Sequence, residues 1–175
     1  IQNAWVVYHD NHSTTINFID NGTNYIFYSN PEKQDSTIER KARNFWLKNE
    51  IGNIIHIKED STHLQDLTIC HPFIHFKGNR ILLLNSGYWK NKKSAYLLPI
   101  DYAIISKGFS GKLSDITELF SIQTIILCSD LNYFKHQALQ KESDQLGISC
   151  YSIKKSGAWI FNTDTQLRIP LITSD

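Results

Sequence analysis

Seven histidines are the first candidates for chemistry in this 175-residue chain. His9 and His12 flank a short polar connection, and His71 and His75 stand four positions apart. On a helix, imidazoles at i and i+4 share a face and can hold one zinc ion. Pro72 lies between this pair, however, and the surrounding residues read as extended chain. Strand residues four apart are roughly 13 Å from one another, too far to share an ion. No HxH, HExxH or HxHxDH occurs. The histidines therefore read first as ordinary side chains. His9, His12, His71 and His75 stay open as ligands of an unconventional metal site.

A second candidate is the turn Ser106-Lys107-Gly108-Phe109-Ser110-Gly111. It precedes a helical pattern, so its backbone N–H groups could meet an anion. It lacks the GK[ST] ending of a phosphate loop, because Leu113 follows Lys112. No G-x-S-x-G elbow surrounds Ser106, Ser110 or Ser129. Cys70, Cys128 and Cys150 have no CxxC spacing, which argues against a zinc ribbon or redox motif. Their odd number argues against a full disulfide framework, and Cys128 and Cys150 sit in apolar runs as buried thiols do.

Two basic clusters carry aromatics. Arg40, Lys41, Arg43 and Lys48 accompany Phe45 and Trp46, and Lys90, Lys92 and Lys93 accompany Trp89. Such mixtures grip single-stranded nucleic acid through phosphates and stacked bases. Phe45 and Trp46 equally suit the buried face of a core-packed helix. The net charge of +1 excludes a global field drawing the chain onto polyanions.

The elements that would position these residues are organised around 101–130. An apolar run at 102–105, a turn, a helical pattern through Leu113, Ile116, Leu119 and Phe120, and a second apolar run at 124–128 make a βαβ unit. Before it, strands at 4–9, 14–19 and 24–28 form an antiparallel meander with an Asn21-Gly22 turn. Asn30-Pro31 breaks the pattern. A helix is expected over 36–49, with Ser36 and Glu39 spaced as a capping box. Strands at 51–57 and 68–76 follow, separated by a loop at 58–66, the second strand placed on an edge or bulge by Pro72. A hairpin turns at 77–80, and 86–96 is a surface connection. A helix spans 133–146 and stops at Gly147. Two last strands, 148–153 and 158–161, are joined at 154–157, and the tail after Asp164 is expected to fray. This suits one α/β domain over 1–175. No run reaches the roughly 18 apolar residues of a membrane span. The start at Ile1 and the lack of any Met lead to the expectation of a piece excised from a longer protein.

The order of these motifs resembles the C-terminal soluble domain of the ComEC family, inner-membrane channels for DNA uptake in natural competence. In that family a strand leads into an aspartate-bearing turn, and another into a histidine-rich turn. A strand ending in serine and a histidine-bearing helix follow. Here Lys77-Gly78-Asn79-Arg80 falls at the aspartate turn and Ser106–Gly111 at the histidine turn. Cys128-Ser129 ends the serine strand, and His136 lies near the helix histidine. Leu146-Gly147-Ile148 and Ser156-Gly157-Ala158-Trp159 fall at the last two strands. The glycine-rich signature of the opening hairpin is replaced by His9-Asp10-Asn11-His12.

The resemblance implies a shortened metallo-β-lactamase-like αββα sandwich, with mixed sheets and an opening antiparallel hairpin. It also implies degenerate site positions at Asn79, Lys107, Gly108, Phe109 and Ser110. A dinuclear hydrolase needs carboxylates and imidazoles to hold its ions, so neither catalytic residues nor a metal or other cofactor is expected. The expected role is structural or DNA-contacting, on the periplasmic side of the inner membrane. The contacts fall to Arg40, Lys41, Arg43, Lys48, Lys90, Lys92 and Lys93. The partners are single- or double-stranded DNA held weakly and non-specifically, the membrane-spanning remainder of the chain, and other uptake components. A nuclease acting on the non-transported strand and a protein–protein assembly module remain the alternatives.

Overall fold

The computed structural model describes residues 2–29, 36–49, 52–57 and 61–169. The chain opens with β1 (Asn3–Val7), β2 (Thr15–Asp20) and β3 (Thr23–Tyr28), followed by α1 (Ser36–Lys48) and β4 (Ile54–Ile57). It continues through β5 (Ser61–His63), β6 (Leu67–Cys70), β7 (Phe73–Phe76), β8 (Asn79–Leu84) and β9 (Leu98–Ile105). The second half holds α2 (Leu113–Thr117), β10 (Phe120–Leu127), α3 (Tyr133–Leu146), β11 (Ser149–Ser152), α4 (Ile153–Ser156), β12 (Trp159–Asn162) and β13 (Leu167–Arg168).

The strands form two mixed sheets. One has the order β13-β12-β1-β2-β3-β4, and the other β11-β10-β9-β8-β7-β6-β5. In the seven-stranded sheet, β8, β9, β10 and β11 are mutually parallel, while β5 to β8 zigzag antiparallel.

Alternation along the strands explains the layering. Trp5 and Val7 of β1 face one core, and Ala4 and Val6 face another. Ile81 and Leu83 of β8 join the Trp5 core from the opposite sheet, and Leu82 and Leu84 point the other way. Both faces of each central strand are thus buried, as their continuous apolar runs demand. Between the sheets lies a core built on Trp5, Phe18, Phe76, Ile104, Ile126, Trp159 and Phe161. Outside the seven-stranded sheet, Leu113, Ile116 and Leu139 of α2 and α3 cover Ile105, Ile125 and Leu127. Outside the six-stranded sheet, Ala42 and Trp46 of α1 cover Val6, Tyr8, Ile26 and Ile160. Three cores separate four layers: helix, sheet, sheet, helix.

Local signals account for much of this frame. The turns at Asn21-Gly22 and Lys77-Gly78 put both residues at positive φ, the geometry a two-residue hairpin needs. Asn132 caps α3 by accepting from the Lys135 N–H, and Gly147 ends it in the left-handed region. The βαβ unit is present, with β9 parallel to β10.

Three expectations need correction. Residues 68–76 are not one strand: the chain reverses at His71-Pro72, and β6 and β7 pair antiparallel. The last two apolar runs do not pair, because β11 lies beside β10 and β12 beside β1. The segment 153–156 between them is a helical turn that carries the chain from one sheet to the other. Past Asp164, Leu167-Arg168 is a strand on β12. Of the segment 58–66 expected as a loop, Ser61–His63 is strand β5, paired with β6; residues 58–60, the Asn30-Pro31 break and the Ser36 and Glu39 side chains fall outside the described residues.

Candidate functional site

Parallel strands deliver all their C-terminal ends to one edge, where the connecting loops of α/β proteins converge. Here those loops are Asn85–Gly87 after β8, Ser106–Lys112 after β9 and Cys128–Asn132 after β10. The connection between β1 and β2 reaches them from the other sheet: the Ser129 hydroxyl donates to the Asp10 carbonyl at 2.6 Å.

Two buried or half-buried carboxylates mark this junction. Asp10 is 3% exposed; it accepts from the His12 N–H at 3.1 Å and the Ser13 hydroxyl at 3.2 Å, one on each oxygen. Asp130 accepts from the Lys107 N–H at 3.1 Å and the Thr14 hydroxyl at 3.4 Å, again one on each oxygen. Burial pushes the Asp130 carboxyl above its ordinary range, and the nearby Asp10 adds to that. The Lys107 N–H and the Thr14 hydroxyl oppose it. The sequence had marked Asp10 and Asp130 only as ends of segments. Each lies three positions past the last residue of an apolar strand, and that position was the signal available to find them.

The turn between β9 and α2 is tightly held. Gly108 has φ near 103°, and a Cβ there would fall 2.3 Å from the Asn85 carbonyl oxygen. Gly87 approaches Ser110 so closely that a Cβ would meet its hydroxyl at 2.4 Å. At Gly108 the obstacle is backbone and only glycine fits, whereas at Gly87 the Ser110 hydroxyl could turn aside. Lys107 and Ser110 are exposed. Phe109 is 5% exposed and belongs to the helix-side core with Leu84, Ile105, Leu113 and Leu139. The Lys135 ammonium sits 4.9 Å from the Phe109 ring centre and donates to the Gly111 carbonyl at 2.6 Å.

Of the five degenerate positions, Lys107, Gly108, Phe109 and Ser110 lie together and Asn79 does not. Asn79 begins β8, whose far end Leu84 pairs with Ile105. Five residues of strand separate it from that edge, roughly 16 Å. Asn79 is buried and donates to the Phe76 and Lys77 carbonyls, locking the β7–β8 hairpin. Among the described residues no three His, Cys, Asp or Glu side chains gather as metal ligands, so His9, His12, His71 and His75 form no common group. His136 is 2% exposed, with Nε2 2.7 Å from the Ser152 hydroxyl. Burial, then Lys155 and Lys154, lower its pKa below the ordinary imidazole value. Cys70, Cys128 and Cys150 are free thiols, and burial pushes Cys128 far up, leaving it an inert core residue.

The basic candidates divide between two outer layers. Arg40, Arg43 and Lys48 are exposed on α1, while Trp46 faces inward and donates to the Tyr8 hydroxyl at 3.0 Å. The Lys41 side chain falls outside the described residues. Lys90, Lys92 and Lys93 are exposed on the opposite side, in the crossover from β8 to β9.

The family model of the ComEC C-terminal domain matches residues 5–163. The chain belongs to the ComEC C-terminal domain family. Membership sets it in the context of a competence DNA-uptake membrane protein. Among the described residues no helix is long and apolar enough to cross a membrane. No curated protein and no solved structure matches the chain.

Proposed function

We propose that this ComEC-type domain is a shortened metallo-β-lactamase-like sandwich that serves DNA uptake without hydrolysing DNA. Its frame supports the DNA path on the periplasmic side of the inner membrane, and its surface lysines touch DNA weakly and non-specifically. The membrane-spanning remainder of the protein and other uptake components are its protein partners.

The observation that carries this reading is the state of the strand-end junction. Hydrolases of this fold hold two ions on imidazoles and carboxylates. Lys107-Gly108-Phe109 occupy the turn where the family keeps histidines, and Phe109 is committed to the core. Each Asp10 and Asp130 oxygen is already an acceptor for an N–H or O–H. Two engaged carboxylates with no converging imidazole do not fit a dinuclear centre. An apolar groove of about 230 Å³, lined by Phe73, Ile74, Leu98, Pro99 and Ile100 among others, favours a role in protein–protein assembly as the second reading.

The test is cleavage of labelled single- and double-stranded DNA with magnesium, manganese or zinc supplied. No cleavage is expected, and none from a Lys107→His variant, because the remaining ligands are absent. Cleavage that disappears in Asp10→Asn or Asp130→Asn would overturn the reading and establish a nuclease.

A further inference from the structure

The two ends of the sandwich differ in charge. At the end where β8 begins, Asp20 and Asp66 share the Lys77 ammonium at 2.9 and 2.8 Å, and Asp164 accepts from the Asn3 amide. At the strand-end edge the carboxylates are turned onto their own chain. Asp10 and Asp130 are engaged as described above, and Asp115 accepts from the Lys112 N–H at 3.0 Å. Lys90, Lys92, Lys107 and Lys112 are exposed, and among the described residues none of them has a carboxylate within salt-bridge distance. The strand-end edge thus presents cations with no fixed counter-charge.

The same edge carries large rings that the fold leaves open. Phe134 is 84% exposed, Tyr88 64% and Tyr133 62%. Tyr133 and Phe134 open α3 just after β10, and Tyr88 follows β8. The backbone beneath them is fixed. Trp89 packs edge-on against Phe120 with ring centres 5.1 Å apart, Asn132 caps α3, and the Lys135 ammonium donates to the Gly111 carbonyl at 2.6 Å. The Lys92 ammonium lies 3.4 Å from the Tyr88 ring centre. The apolar groove is lined by Leu98, Pro99 and Ile100 at the start of β9, the far end of that strand, so these rings do not border it. Rings at loop tips beside ammonium groups suit a boundary between water and hydrocarbon. Aromatic rings settle at headgroup level, and a lysine lays its stem along apolar surface while its charge meets the phosphates. Anionic headgroups complement the unopposed cations. Membership of a membrane-protein family puts a bilayer within reach of the domain.

We infer that the strand-end edge lies against an anionic lipid bilayer, with Tyr88, Tyr133 and Phe134 entering the interface and Lys90, Lys92 and Lys107 meeting lipid phosphates. The lysines supply a salt-sensitive attraction, and the rings supply a partition into the headgroup region that salt does not screen. Arg40, Arg43 and Lys48 stand on the other outer layer. The DNA-contacting role proposed above therefore has a separate set of cations, and the lipid contact does not depend on it.

The test is co-sedimentation of the 175-residue chain with vesicles of phosphatidylglycerol and phosphatidylcholine in equal parts, beside vesicles of phosphatidylcholine alone. The mixed vesicles should carry the chain down and the neutral ones should leave most of it in solution. Lys90→Ala with Lys92→Ala should lower the partition about five-fold per lysine and flatten its salt dependence. Tyr88→Ala with Phe134→Ala should lower it about ten-fold per ring, with urea melts unchanged because both side chains are exposed. Arg40→Ala with Arg43→Ala should leave it as it was. Phe134→Trp should keep binding, and its added fluorescence should shift to the blue and be quenched by bromine atoms on the lipid acyl chains. No sedimentation with mixed vesicles at low salt would overturn the inference. So would equal losses from the α1 and ring substitutions, or a Phe134→Trp signal unchanged by vesicles. Ring substitutions that weaken oligonucleotide binding while no vesicle binds the chain would reassign the edge to nucleic acid.

Discussion

Phe109 shows how one side chain sets the character of the strand-end turn. It places an aromatic ring inside the helix-side core, with Leu84, Ile105, Leu113 and Leu139. Removing it leaves a cavity between α2, α3 and the sheet. Phe109→Ala should destabilise the domain by about 3–5 kcal/mol in urea unfolding, and a variant of unchanged stability would show that the ring is not a packing residue. His136 makes a second point. Its folded-state pKa lies below the ordinary 6.5 because burial and two lysines disfavour the imidazolium. The unfolded chain then binds the proton first. The stability His136 contributes is whole above about pH 6.5 and is lost as pH falls from there toward the lowered folded value. His136→Gln can hydrogen-bond to Ser152 but cannot titrate. The wild type should therefore lose melting temperature more steeply than this variant between about pH 7 and 5. Parallel slopes would mean that His136 does not titrate on unfolding in this range.

At the scale of elements, what the sequence could show depended on how local the cause was. The Asn21-Gly22 and Lys77-Gly78 hairpins and the α3 stop at Gly147 follow from residues within one turn of the feature, and the βαβ unit from the succession of neighbouring apolar runs. The β6–β7 reversal was hidden because no Gly, Asn or Asp marks a turn beside His71-Pro72, and proline there suits an edge as well as a turn. The separation of β11 from β12 was hidden for a different reason. Which sheet a strand joins depends on partners far away, and Trp159 finds Val7 rather than Tyr151's neighbours. The candidate site divided the same way. Lys107 to Ser110 are consecutive and were found, whereas the meeting of Asp10 with Ser129 and Thr14 with Asp130 needs both sheets in place. Glycine positions test how rigid the junction is. Gly108→Ala must move the Asn85 carbonyl and hold a strained φ, whereas Gly147→Ala meets nothing within 4 Å and bears the strain alone. Gly147→Ala should cost about 1 kcal/mol and Gly108→Ala clearly more, in paired urea melts. Equal costs would show that the two loops separate freely.

For the whole molecule, the decisive relation is between the four layers and the surface they present. The outer layers carry the basic residues on opposite sides, α1 on one and the β8–β9 crossover on the other. Among the described residues the candidate basic clusters therefore do not share one face, and the net charge is only +1. On the role proposed above, DNA would be held by local contacts rather than by the field of the whole chain.

The pairing of β1 with β12 also fixes when the domain can exist. Ala4 pairs with Asn162 and Val7 with Trp159, so β1 finds one of its neighbours far along the chain. Until then one edge of β1 has open N–H and C=O groups, and Trp5 lacks the Trp159 and Phe161 rings that cover it. A ribosome-bound chain can close the meander and the βαβ unit early, but the inter-sheet core must wait for the end of this segment. A chain interrupted before Trp159 would carry an unpaired, apolar strand edge, the feature that templates aggregation. The price of clamping the two sheets with β12 is therefore a period of vulnerability during synthesis.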